Sequence, residues 1–131
     1  MEKFRVLVID DEVDFVETIV KRLRDRGLEA EGALSGPEGL QLLDNKEFDV
    51  IILDVKMPKM NGIETLREIK KKSPLVEVIM LTGHGSVESG IQGLQLGAFN
   101  FVMKPVPLNE LLKQMTQAYE RKLIEEERVN R

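Results

Sequence analysis

The chain has no cysteine and no tryptophan, and only one histidine, in 131 residues. Without cysteine there is no disulfide, no thiolate metal site and no sulfur nucleophile, a composition that permits a reducing compartment and points to the cytoplasm. The single histidine, His84, excludes a histidine-built zinc cluster and would be the one residue available to a Ser-His-Asp triad. Long apolar runs are also missing. None approaches the ~20 residues of a membrane span, so no membrane role is expected. The opening MEKFRVLVID meets acids after too short an apolar core for a signal peptide, which predicts a chain that is not exported. Nor is there an excess of positive charge. A net charge of -4 and a pI near 5.2 argue against a segment whose role is to grip nucleic-acid backbone, so any DNA binding would lie elsewhere. What remains is a chain of ordinary single-domain length, 42% hydrophobic and 32% charged, which reads as soluble and globular and is rich in carboxylate, lysine and hydroxyl.

Five short apolar runs alternate with segments of helical spacing. FRVLVI (4–9), DVIILD (49–54) and VEVIML (76–81) are dense in β-branched residues, and LEAEGA (28–33) and FNFVM (99–103) are weaker runs of similar length. Between them, Phe15, Ile19 and Leu23 recur at i, i+4 and i+8 before Gly27; Leu40, Leu42 and Leu43 form a second group; Ile63, Leu66 and Ile69 precede Pro74; Ile91, Leu94 and Leu96 precede Gly97; and Leu108, Leu111, Leu112 and Met115 follow Pro107. Near-continuous apolar strands separated by amphipathic helices predict a parallel sheet covered on both faces, a doubly wound α/β domain. The tail KQMTQAYERKLIEEERVNR extends the fifth helix, and is open to two readings: a solvated helix end, or a linker helix or short coiled coil leading to a partner or effector domain.

In such a sheet the strand C-termini share one edge, where ligands bind at the reversal of strand order. That edge collects Asp10 and Asp11 from the first strand, Asp54 from the third, Thr82 after the fourth, and Met103 and Lys104 at the end of the fifth. A lone aspartate there could be a helix N-cap or turn residue. Two adjacent aspartates facing a third gain nothing further from capping and repel one another by a few kcal/mol at an effective dielectric of roughly 20. A divalent cation removes that cost. Mg²⁺ takes hard oxygen ligands, one or two of them protein carboxylates, and leaves positions for phosphate oxygens. Asp54 beside it becomes a candidate nucleophile for an acyl phosphate, with Lys104 supplying charge and Thr82 a donor to the phosphoryl oxygens.

The stretches VLVIDDE, DVIILDVKMPKMNGIE, VIMLTGHGS and GAFNFVMKP, in that order, resemble the response-regulator receiver domain of two-component signalling over roughly residues 4–122. The resemblance implies a flavodoxin-like fold with strand order 2-1-3-4-5 and five helices, the last extended. It makes Asp54 the phosphoacceptor, Asp10 and Asp11 the Mg²⁺ acids together with Asp54, and Lys56 a metal ligand through its backbone carbonyl. Thr82 and Lys104 become the catalytic hydroxyl and lysine, Thr82 and Phe101 the switch pair, and Lys104-Pro105 a cis peptide. From its own sequence context Phe101 reads first as a core aromatic, and the resemblance reverses that reading. Pro58 and Gly62 fit the loop after the third strand, with glycine allowing the turn into the next helix. His84 and Lys56 are candidates for tuning hydrolytic water. The Gly83, Gly85, Gly90 spacing fails the dinucleotide pattern, which needs glycine at Glu88, and reads instead as a mobile loop.

The implied function is a Mg²⁺-dependent switch phosphorylated by a sensor histidine kinase or phosphotransfer protein, which alters partner affinity through the face of the fourth helix, fifth strand and fifth helix. It is not a turnover enzyme. Residues 1–122 would form the receiver and 123–131 the helical extension, with a downstream effector and a homodimer both left open. Two rivals remain. A Mg²⁺-dependent aspartyl-phosphate phosphohydrolase would want a second acid two residues after the nucleophile, where this chain has Lys56. A phosphorylation-independent binding module of the same fold should have lost one of the key residues.

Overall fold

The computed structural model describes residues 3–57, 59–83 and 87–130; Pro58, His84 and Gly85, singled out above, lie outside them. Five strands and five helices alternate: β1 (Arg5–Ile9), α1 (Val13–Asp25), β2 (Glu29–Ala33), α2 (Gly36–Asn45), β3 (Val50–Asp54), α3 (Gly62–Lys72), β4 (Glu77–Thr82), α4 (Val87–Gln95), β5 (Asn100–Met103) and α5 (Leu108–Val129). All paired strands are parallel, in the order β2-β1-β3-β4-β5. The fold is the doubly wound α/β architecture that the alternation predicted, in the flavodoxin-like strand order that the family resemblance implied, with a long last helix.

The core divides into two layers because alternate residues of each strand face opposite ways. Val6, Val8, Val50, Ile52, Ile79 and Leu81 pack with α1 and α5 residues. Leu7, Ile9, Ile51, Leu53, Val78 and Met80 pack with α3 on the other face. The central strands are buried on both faces, which is why they read as unbroken apolar runs.

Helix starts follow local chemistry. Ser35 caps α2 by accepting from the Glu38 N–H at 3.2 Å, and Asn61 caps α3 by accepting from the Glu64 N–H at 2.9 Å. α3 ends ahead of Pro74, with lysines in its last turn where the helix dipole favours them. Gly62 answers a different need from the turn flexibility expected of it. A Cβ there would collide with the Asp54 carbonyl oxygen and Val55 Cα, so glycine lets α3 begin directly against the end of β3. Gly90 also departs from expectation. It lies within α4 rather than in a loop, and a Cβ on it would come within 2.7 Å of Phe101 Cγ.

At the N-terminal edge of the sheet, two buried acids clasp α5. Glu77, the first residue of β4, is only 3% exposed and receives both Nε and Nη2 of Arg121. Asp49, just before β3, accepts from Lys122 Nζ at 2.9 Å and from the Arg5 N–H at 2.8 Å. The charged stretch around Arg121 and Lys122 is therefore fastened to the sheet rather than merely solvated.

Candidate functional site

The C-terminal edge gathers the residues predicted to meet there. Asp10 follows β1 directly, Asp54 ends β3, Thr82 ends β4 and Lys104 follows β5. Parallel pairing sets their level: Asp54 lies opposite Leu81, and the Lys104 N–H donates to the Thr82 carbonyl at 2.7 Å. Asp10 is fully buried and Asp54 is 8% exposed, while Asp11 is exposed. One carboxylate oxygen from each of these three acids lies within 4.8 Å of the others.

The surroundings of each acid differ. Asp10 uses both oxygens: Oδ1 accepts from the Glu12 N–H at 3.0 Å and Oδ2 from Lys104 Nζ at 2.7 Å. Asp11 has no side-chain hydrogen bond or ion pair among the described residues. Neither acid caps α1, since Glu12 occupies the N-cap position and makes no side-chain capping bond. The capping reading of the aspartate pair therefore has no support in the geometry. Asp54 carries the strain of the cluster. Burial above all, then the charge of Asp10 and more weakly that of Asp11, pushes its carboxyl up from 3.8 to about 6, against the opposing effects of Lys104 and the Lys56 N–H.

Lys104, expected to supply charge to phosphoryl oxygens, here bonds Asp10 and, at 3.0 Å, Glu12 Oε1 with its ammonium, which rests over the Phe15 ring 4.7 Å from its centroid. Burial opposes the charged form of Lys104, yet its bonds to Asp10 and Glu12 hold the pKa above the usual lysine value. Glu12 and Phe15 are partners that the sequence reading did not assign to the site. The available clue was the third consecutive acid in IDDE, although nothing local says which cation it meets. The ammonium thus bonds two carboxylates and feels the charge of a third, Asp54.

Thr82 is fully buried, and its hydroxyl donates to the Val102 carbonyl at 3.3 Å. Strand register places Met80 opposite Phe101 and Thr82 opposite Met103, so Thr82 and Phe101 share a sheet face. Phe101 is half-buried, seated against Gly90 of α4. The Lys104-Pro105 peptide is cis. A groove of about 740 Å³ beside the site is lined by Lys56, Met57, Arg67 and Gln92, among others.

The donor set suits Mg²⁺. Octahedral coordination at about 2.1 Å puts ligand oxygens roughly 3 to 4 Å apart, and three carboxylate oxygens within 4.8 Å of one another need only small rotations to reach that spacing. They are hard, anionic and under-neutralised by a single lysine, which is what a hard divalent cation requires.

Topology and rim chemistry together define a flavodoxin-like domain with an acidic pocket at its switch point, and comparison with known proteins makes the class specific. The chain belongs to the response regulator receiver domain family, which matches residues 6–116. It is 34% identical over 116 residues to the transcriptional regulatory protein ZraR of Salmonella typhimurium and 35% identical over 115 residues to GlrR of Escherichia coli. Each match covers 88% of this chain and 26% of the relative, so the chain spans about a quarter of the length of these curated proteins. Among solved structures, a receiver domain protein from Clostridium thermocellum superposes with a TM-score of 0.88 at 41% identity, covering 92% of this chain and 98% of that one. NtrX from Brucella abortus superposes with a TM-score of 0.91 at 29% identity, covering 96% of this chain and 29% of that one. Membership supports a phosphoryl-acceptor switch in two-component signalling, a signalling part rather than a turnover enzyme. Among the described residues no helix is long and apolar enough to cross a membrane.

Proposed function

We propose that this chain is a Mg²⁺-dependent phosphoryl acceptor, modified on Asp54 by a phosphohistidine of a sensor kinase or phosphotransfer protein. One observation carries the reading: three carboxylates from distant parts of the chain lie within 4.8 Å of one another, at a cost to Asp54 that no structural role repays. In the transfer, an Asp54 oxygen attacks phosphorus. The bond from phosphorus to the donor nitrogen breaks, and the nitrogen keeps the electron pair. Asp10, Asp11 and Asp54, with the Lys56 carbonyl, would hold Mg²⁺. When bound, the ion neutralises these acids and the phosphoryl oxygens. Lys104 turns its ammonium toward the new phosphoryl group, and Thr82 exchanges its long bond to Val102 for a phosphoryl oxygen.

Loss of the Thr82 contact with β5 frees space for Phe101 to reorient against Gly90. The face of α4, β5 and α5 is then altered. Ile91, Leu94 and Met103 are already exposed on α4 and β5, apolar groups through which a partner's affinity can be changed. Residues 1–122 form the receiver in this reading, and 123–131 extend α5 toward an effector or a second copy. The setting is cytoplasmic, as for a domain that answers a kinase.

Incubation with acetyl phosphate and Mg²⁺ followed by intact mass measurement tests the proposal. A lasting gain of ~80 Da that is abolished in Asp54→Asn is expected. No adduct would favour the phosphorylation-independent binding module. Rapid turnover of acetyl phosphate with no lasting adduct would favour the phosphohydrolase.

A further inference from the structure

We infer that Glu12 is a positioning residue that parks the Lys104 ammonium beside Asp10 and must release it when Asp54 is phosphorylated. The inference rests on the reading of Asp54 as phosphoacceptor. Its observation is separate: Lys104 Nζ is shared between Asp10 Oδ2 at 2.7 Å and Glu12 Oε1 at 3.0 Å, across 94 and 92 residues of chain.

The residue type fits this task and not the local one. Glu12 stands at the N-cap of α1, where a short side chain would turn back to accept a helix N–H. Its own side chain makes no such bond and reaches to the end of β5 instead. Glutamate has the extra methylene for that span, and aspartate at the same place would cap the helix.

The three contacts of Lys104 differ in how readily they yield. Asp10 is buried with both oxygens occupied, and the Phe15 ring lies against the ammonium 4.7 Å from its centroid. The Glu12 side chain, by contrast, is 66% exposed, so water replaces its lost partner at little cost. An ammonium has three donors. Giving up Glu12 frees one for a phosphoryl oxygen while Asp10 and Phe15 keep the pivot in place. Glu12 therefore opposes phosphorylation by the worth of one exposed ion pair.

The test follows acetyl phosphate modification at saturating Mg²⁺ by intact mass, in wild type, Glu12→Gln, Glu12→Asp, Lys104→Met and the Glu12→Gln/Lys104→Met double variant. Both Glu12 variants should be modified about two- to fivefold faster than wild type, the range an exposed pair commands. Glu12→Asp, which can cap α1, guards against a fold defect. In the Lys104→Met background the Glu12→Gln acceleration should vanish, because there is no ammonium left to release. An acceleration of the same size without Lys104 would mean that Glu12 acts by bulk charge, and overturns the inference. Wild type that reacts while neither Glu12 variant is faster overturns it alone. Wild type that takes no phosphoryl group overturns the reading of Asp54 and this inference with it.

Discussion

Asp54→Asn should make the metal-free protein more stable, although it removes a group from a buried, hydrogen-bonded position. Folding places the Asp54 carboxyl where burial and Asp10 push it from 3.8 up to about 6. A carboxyl whose pKa is raised by folding holds its proton more tightly in the native state, so stability falls as pH rises. Below 3.8 both states are protonated and no penalty exists. It grows between 3.8 and about 6 and is complete above. At about 1.4 kcal/mol per pH unit, the ceiling is about 3 kcal/mol. Exposure of the neighbouring Asp11 opens the pocket to water, which screens the repulsion and favours the lower half of that range. Asparagine keeps an oxygen for the Lys56 N–H, so little is lost in exchange.

Thermal unfolding followed by circular dichroism in EDTA reads the effect. At pH 7.5 the variant should be more stable by about 1–2 kcal/mol, a rise of roughly 3–10 °C for a domain of this size. At pH 4.5, where native Asp54 already carries its proton, the advantage should shrink to a third or less. Saturating Mg²⁺ should close the gap at pH 7.5, because the ion binds the folded wild type and adds its binding free energy to stability. A variant that melts at or below wild type at pH 7.5 would refute the reasoning. So would an advantage that does not change between the two pH values, since repulsion on an ionised group cannot survive its protonation.

Two stability predictions follow from packing and charge elsewhere. Gly90→Ala gains up to about 1 kcal/mol of helix propensity but sets a Cβ 2.7 Å from Phe101 Cγ, overpacking worth about 1–3 kcal/mol, so urea unfolding should show a net loss. Gly93→Ala comes tight only against the flexible Met80 side chain at 3.1 Å, with Ala98 and Leu66 at an ordinary 3.8 Å, and should be neutral or stabilising; equal gains at both positions would mean that the ring does not sit on α4 as described. Glu77→Gln, which strips the charge from the carboxylate gripped by Arg121, should cost about 1–2 kcal/mol in urea unfolding, and a stabilised variant would show that the clasp is not attractive.

What could be read in advance depended on the range over which each signal acts. Burial on both faces writes itself into consecutive residues, so β1, β3 and β4 were visible, as was the meeting of Asp10, Asp54, Thr82 and Lys104 that strand order compels. Edge strand β2 was faint because Ala30 and Ala33 supply most of its burial. In α1 the expected stripe of Phe15, Ile19 and Leu23 is there but wider, with Phe15 partly buried at its flank. Val16, Ile19, Val20 and Leu23 face the core, and Lys104 covers Phe15. The choice of Glu12 and Asp10 by Lys104 was illegible, because it depends on how one flexible side chain settles among the rim acids over a chain separation of some 90 residues. Arg121 and Lys122 were hidden for a related reason. In a helix of nearly balanced charge, nothing local distinguishes a cation that reaches a buried acid from one that stays in water.

The two ends of the sheet set the functional assignment apart from mere acidity. Both hold buried carboxylates at strand termini, yet Glu77 and Asp49 each have a cation of α5 within bonding distance, and each has a second cation, Lys70 and Arg5 respectively, within 4 Å. At the other end, among the described residues, Lys104 is the one cation bonded to the acids of the rim, and it bonds only Asp10 and Glu12. The same change, carboxylate to amide, is thus expected to destabilise at Glu77 and to stabilise at Asp54. Charge that the fold tolerates only at a loss requires a reason outside folding. A cation and a phosphoryl group that bind there supply one, because each is held most tightly where unpaired carboxylates and a movable ammonium already wait.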